Sequence, residues 1–401
     1  MKRGVIPAVF IVGAAMWLAA CSGGGDGGTG GGTPAAAPTL TGTFVDAPVS
    51  GLSYATSSGL NGTTNSQGQF SYRAGDTVQF SYGQTVLGSI PAVPQITPWT
   101  AFGLNSPDST DFRWLNLARL LQTFNNALPA VNPAIAAVPS IVFNQTDAAF
   151  AADPNVAALL NAMGSSPAAL VSGPQAITTL QSQFALLGSW FVQNTFGPNF
   201  VVFTAMADGT FTISEDGSSD PTGIDGMERG TYTWNPSTGA FTATVQRDTN
   251  NQNGVSNTPG PYTITVTGNT FTFTSGDGPL IFTRVADTSA PVDPLVGAWR
   301  FDNTDGPGTL AVLTLFTNGV FVLVTDESAP VNDGIERGTY STALNGDVTL
   351  TRTIDTNRDA GIFDPAGPGT VVVNTTIVGD TMTVTTPGEP SLTGTRIRPP
   401  Q

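Results

Sequence analysis

The stretch Asp225-Gly226-Met227-Glu228-Arg229-Gly230-Thr231-Tyr232 returns as Asp333-Gly334-Ile335-Glu336-Arg337-Gly338-Thr339-Tyr340. Chance does not easily supply such a match, so the C-terminal half is an internal duplication. Working outward, Leu187-Gly188-Ser189-Trp190 returns as Val296-Gly297-Ala298-Trp299, and Asp248-Thr249-Asn250 with Gly254 returns as Asp355-Thr356-Asn357 with Gly361. Arg284 corresponds to Arg396, and the offset drifts only between 107 and 112 residues. Each copy holds about eight strand-like runs. In the first copy they lie near 188–194, 200–207, 209–215, 229–235, 239–248, 261–267, 270–275 and 279–285. Eight sequential antiparallel strands predict a small closed barrel in each copy, over 187–288 and 289–399. Phe241, Ala243, Val245 and Tyr262, Ile264, Val266 give one apolar face per strand, a face that side chains alone can use to fill a small barrel.

Gly-x-Trp at the start of each copy and an arginine in its last strand resemble the lipocalin-like, or calycin, barrels. The resemblance implies that Arg284 packs on the indole of Trp190, and Arg396 on that of Trp299, closing one barrel end by a cation–π contact and hydrogen bonds to backbone. Each copy, at about 100 residues, is shorter than a typical lipocalin and lacks its long lid loop. The resemblance therefore carries the barrel further than it carries a roomy ligand cavity.

At the other end of the chain, Lys2 and Arg3 precede an apolar run from Val5 to Leu18, which leads into Leu18-Ala19-Ala20-Cys21. A charged start, a short apolar core and small residues before a cut site mark a secretory signal too short to span a bilayer comfortably. The segment resembles a bacterial lipoprotein signal peptide. That implies cleavage after residue 20, acylation of Cys21 and, with Ser22 rather than aspartate next, sorting to an outer membrane. Residues 21–38 are low-complexity and Gly-rich, a tether whose r.m.s. reach is roughly 22 Å.

Residues 39–98 read as short strands of a small antiparallel β-sandwich. Asp46-Ala47-Pro48-Val49-Ser50-Gly51-Leu52, Asn65-Ser66-Gln67-Gly68-Gln69-Phe70 and Gly75-Asp76 resemble the carboxypeptidase-regulatory-like sandwich, a non-catalytic accessory module. In residues 99–186 the period becomes helical. Trp114, Leu115, Ala118, Leu120, Leu121 and Phe124 share a face with Asp111 as cap, Ala148 to Met163, with Pro154 suited to a helix start, and Pro174 to Leu186 read as further helices, and Arg113 and Arg119 read as solvated charges beside the apolar stripe, with an anion or partner contact as the alternative. The fold class expected is mainly β and multidomain: sandwich, helical spacer, two tandem barrels.

Composition narrows the chemistry. Histidine is absent and lysine does not occur after Lys2, which removes the commonest general base, the commonest metal ligand and Schiff-base chemistry. Cys21 is the one cysteine, so there is no intramolecular disulfide and no thiolate zinc site. The whole chain carries a formal charge of −15; loss of Lys2 and Arg3 with the signal peptide makes it more negative, and nucleic acid is a poor partner.

The duplicated Glu-Arg-Gly-Thr-Tyr is the leading candidate for a specific role: Glu228, Arg229 and Tyr232, with Glu336, Arg337 and Tyr340. On a strand the Glu and the Arg point to opposite faces, so each needs its own partner. A duplicated motif favours scaffold over catalysis. Asp248 and Asn250 before Gly254, and Asp355, Asn357 and Asp359 before Gly361, place oxygen side chains on alternate residues, as Ca²⁺ loops do. They lack the EF-hand Gly and Glu, and solvated hairpin turns fit them too. No cofactor other than Ca²⁺ is suggested. The expected function is that of a non-enzymatic, lipid-anchored outer-membrane protein that binds, adheres or scaffolds. A small hydrophobic ligand carried in one or both barrels is the alternative, and a carboxylate-dependent hydrolase, which would need two paired acids in a cleft, is the weakest reading.

Overall fold

The computed structural model describes residues 37–401 apart from residues 109, 194–199, 218–224, 251–253, 259, 286–292, 307, 344, 359, 364–366 and 387–389. The signal peptide, Cys21, most of the tether and Asp359 lie outside the described residues.

Alternating burial along short strands builds the N-terminal sheets. Strands β1 (Thr39–Phe44), β2 (Ser53–Thr56), β3 (Asn61–Thr63), β4 (Gln69–Arg73), β5 (Thr77–Tyr82), β6 (Thr85–Pro91) and β7 (Gln95–Ile96) form a three-stranded sheet β4-β1-β7 and a four-stranded sheet β3-β2-β5-β6. The expected sandwich is antiparallel throughout; here β7 leaves the second sheet and joins β1 in parallel. Asp76 ties one corner, accepting from the Ser57 and Ser58 hydroxyls at 2.9 and 2.7 Å.

Among the described residues five α-helices follow: α1 (Phe112–Thr123), α2 (Pro133–Ala136), α3 (Asp147–Ala152), α4 (Pro154–Ala162) and α5 (Gly173–Gln183). Asp111 caps α1 by accepting from the Arg113 amide at 3.0 Å. The helical run Ala148 to Met163 divides in two, because Asp153 turns extended and caps α4, and Pro154 stands at the helix start it suits, where the missing N–H costs nothing. Leu117, Leu120, Leu121, Phe150 and Leu160 join Phe44, Phe70, Phe80 and Ile96 in one apolar cluster, so the helices complete the core of the sheets. Arg119 corrects the sequence reading. It is 2% exposed, and its guanidinium donates to the Val171 carbonyl at 2.8 Å and to Asn116 Oδ1 at 2.9 Å while pairing with Asp147 at 2.7 Å. A side chain that can satisfy several carbonyls at once was drawn inward to cross-link α1 with the segments leading into α3 and α5. Arg113 instead folds back on Asp111.

The first barrel is β8 (Gly188–Gln193), β9 (Phe200–Ala205), β10 (Thr210–Asp216), β11 (Gly226–Trp234), β12 (Ala240–Asp248), β13 (Tyr262–Thr267), β14 (Thr270–Ser275) and β15 (Gly278–Arg284). The second is β16 (Gly297–Asp302), β17 (Leu310–Leu315), β18 (Val320–Asp326), β19 (Gly334–Thr342), β20 (Asp347–Asp355), β21 (Thr370–Val378), β22 (Thr381–Thr385) and β23 (Leu392–Ile397). Each is a closed antiparallel meander in which the last strand pairs with the first.

Strands far from the other barrel alternate in burial, whereas β10 and β17 are buried at every position and β9 and β18 at nearly every one. Their outward faces meet. Met206, Met227, Leu310, Val312, Val324 and Ile335 form one apolar cluster across the junction, and Phe200, Val202, Phe316 and Val322 form another. Continuous runs such as Leu310 to Leu315 serve this double burial. The N-terminal body docks on the first barrel, where the Gln95 backbone amide donates to the Asp208 carbonyl at 2.9 Å and its side-chain amide to the Ala207 carbonyl at 3.1 Å.

Candidate functional site

Four residues close the barrels. Arg284 lies over the Trp190 ring at 3.9 Å and donates to the carbonyls of Leu187 and Ala185 at 2.7 and 2.6 Å. Arg396 lies over Trp299 at 4.0 Å and donates to the carbonyls of Val296, at 2.8 Å, and Pro294. Each indole N–H donates four residues back, Trp190 to Leu186 at 2.8 Å and Trp299 to Leu295 at 2.9 Å. The planar guanidinium stacks and forks at once, which an ammonium cannot do.

The duplicated motif divides its labour by residue. Glu228 and Glu336 are fully buried and hold the loop that follows the next strand. Glu228 accepts from the amides of Val255 and Ser256 at 2.9 and 3.0 Å; Glu336 accepts from those of Ile362 and Phe363, both at 3.0 Å. Gly254 and Gly361 take positive φ (88° and 86°) and lie so close to these carboxylates that any Cβ would overlap them. Burial pushes both carboxyls up, Glu336 to about 8, against the opposing pull of the loop amides. Gly230 and Gly338 follow a β-bulge, where a Cβ would collide with the Thr244 and Thr351 carbonyls. Tyr232 and Tyr340 donate to the carbonyls of Met206 and Phe316 at 3.0 and 2.7 Å, pinning the β9–β10 and β17–β18 turns.

The arginines point the other way, across the junction. Arg229 pairs with Asp326 of the second barrel, and Arg337 pairs with Asp216 of the first. Asp216 ends β10 as Asp326 ends β18, so the two ion pairs exchange equivalent partners, as in an isologous dimer made from one chain. Arg337 also stacks on Phe200 at 4.4 Å, and Arg300 adds a bond to Asp208 at 2.5 Å.

In the candidate Ca²⁺ loops the asparagine amide N–H groups and the Asp248 and Asp355 carboxylates are bonded, while Asn250 Oδ1 and Asn357 Oδ1 are buried with no hydrogen-bond partner. Asp248 accepts from Ser256 at 2.9 Å, the Asn250 amide reaches Glu215 at 3.5 Å, Asp355 pairs with Arg352, and Asn357 donates to Thr325 at 3.1 Å. Among the described residues no three carboxylates converge on a position that could hold a metal ion. Glu215 is pushed up to about 7 by burial and then by Glu228 and Asp225.

The two interiors differ. The first is filled by aromatic rings, with Phe203 and Phe271 at 5.7 Å, Tyr262 and Phe273 at 5.5 Å and Phe271 and Phe282 at 4.5 Å. Strand register places Leu313, Val348, Val373, Met382 and Val384 of the second barrel where the first has Phe203, Phe241, Tyr262, Phe271 and Phe273. All five aliphatic replacements line an apolar cavity of about 70 Å³. Its polar lining residues are Thr304, Thr375 and Thr386, and no charged residue lines it. Thr304 donates to Oε1 of Glu327 at 3.3 Å, and Glu327 Oε2 is buried with no hydrogen-bond partner. Burial, then Asp305 and Asp333, push Glu327 up to about 7 against the Thr304 bond. Thr304, Glu327, Asp216 and Asp326 escaped the sequence reading; the available signals were Asn303-Thr304 repeating Asn194-Thr195, the aspartate shared at 216 and 326, and the exchange of five aromatics for aliphatics between copies.

No protein-family model and no curated protein matches this chain. Among solved structures, the Helicobacter pylori beta clamp bound to a DNA ligase peptide is 9% identical over 55% of this chain and 62% of that one, with a TM-score of 0.10. The DNA polymerase III subunit beta of Pseudomonas aeruginosa is 8% identical over 54% and 61%, again at 0.10. The chain thus spans less than two thirds of these structures, and likeness at this level carries no argument about fold or function.

Proposed function

We propose that this chain is a non-enzymatic binding and scaffold protein of the cell envelope, moored to the outer membrane through an acylated Cys21. The observation that supports it is the complete structural employment of the duplicated motif: each Glu clamps a loop, each Arg joins the barrels and each Tyr pins a turn, leaving a rigid double barrel that presents loops. Among the described residues no helix is long and apolar enough to cross a membrane. Cys21→Ala is expected to move the protein from the membrane to the soluble fraction and to abolish labelling with a palmitate analogue. Membrane retention of the unlabelled variant would overturn the anchor.

The cavity favours a second role, uptake of a small apolar guest by the second barrel alone. Its volume is about half that of an engineered apolar cavity of ~150 Å³ that takes benzene, and Met382 is an adaptable wall. Val384→Phe, which restores the first barrel's residue, is expected to abolish uptake.

A further inference from the structure

Building on the reading that the second barrel holds a guest, we propose that this guest is a compact, ring-sized apolar molecule carrying one hydrogen-bond donor, received by Thr304 backed by Glu327. Thr304 lines the cavity, and its hydroxyl proton is committed to Glu327 Oε1 at 3.3 Å. A hydroxyl used in this way offers the cavity lone pairs only. Thr375 is in the same condition, since its proton goes to the Gly346 carbonyl at 3.3 Å. Two of the three threonines in the lining therefore offer acceptors, which favours a guest that supplies the proton.

Glu327 extends the argument. It is 5% exposed, and Oε2 is a buried acceptor without a partner; Glu327 stands behind the lining, so it acts on a guest through the Thr304 hydroxyl it orients. Asp305 and Asp333 stand near it, so a guest ending in a carboxylate meets like charge, and the lining provides no cation to offset it. The first barrel has Gly217 at the place of Glu327, next after the strand-ending aspartate, and an interior filled with rings. The Glu327 carboxylate and the cavity thus occur together in the second copy, where the first has a glycine and rings.

A matched series on the full-length protein tests this: cyclopentane, cyclopentanol, cyclopentylamine and cyclopentanecarboxylate, followed by saturation-transfer NMR and calorimetry at pH 8. Cyclopentanol and cyclopentylamine are expected to bind at least ten-fold more tightly than cyclopentanecarboxylate and several-fold more tightly than cyclopentane. In Thr304→Val, nearly isosteric, the advantage over cyclopentane disappears while cyclopentane still binds; Glu327→Gln lowers the preference for the amine. Equal binding of cyclopentane and cyclopentanol to the unaltered protein, or preference for the carboxylate, overturns the donor assignment and leaves the cavity reading standing. Binding of none of the four overturns both.

Discussion

Arg396 concentrates in one side chain much of what holds the second barrel shut. It stacks on a fully buried indole and donates to two carbonyls of the chain entering β16, so truncation loses a cation–π contact and leaves two acceptors to find other partners. Arg396→Ala is expected to cost about 3 kcal/mol in urea unfolding. Arg396→Lys keeps the charge but not the planar fork and recovers less than half of that. A loss under about 1 kcal/mol for the alanine variant would show that the latch is ornamental. The indole and guanidinium were legible in the sequence because both recur at fixed places in each copy. Arg119 was not, because its partners are backbone carbonyls, which every residue carries and no motif announces.

At the level of elements, β9 to β11 and β17 to β19 form two faces that fit each other reciprocally. Removing one member of a buried ion pair strands its partner, at a cost of about 3–5 kcal/mol. Arg337→Asp is therefore expected to destabilise by that order, and the exchanged pair Arg337→Asp with Asp216→Arg to regain more than half, read by a double-mutant cycle in thermal unfolding. Strict additivity of the two substitutions would mean that Arg337 acts through its contact with Phe200 and not through the aspartate. The strands themselves were readable from alternation; the face between barrels was not. A strand buried on both sides reads only as a continuous apolar run, and such a run does not say what covers it.

For the whole molecule the buried carboxyls set the pH dependence. Glu215 and Glu327 are pushed up to about 7 and Glu336 to about 8, so the folded state holds these protons more tightly than the unfolded chain does. Their stabilisation is complete below an unfolded glutamate pKa of ~4.5 and is lost as pH rises through 7 to 8, at ~1.4 kcal/mol per pH unit for each group in its window. The melting temperature is expected to be highest near pH 5 and to fall toward pH 9, with the slope flattened in a Glu215→Gln, Glu336→Gln double variant. A flat profile over that range would contradict the burial of these acids. The sequence by itself determined the duplication, the strand count of each barrel and the Trp–Arg latches, because strand period and repeated spacing are local properties written residue by residue. Only the tertiary structure decided that the barrels dock with reciprocal ion pairs, that the helices share a core with the sheets, and that one interior is full while the other is hollow. Docking and cavity volume depend on how side chains distant in the chain sum across a closed surface, and no local pattern carries that sum.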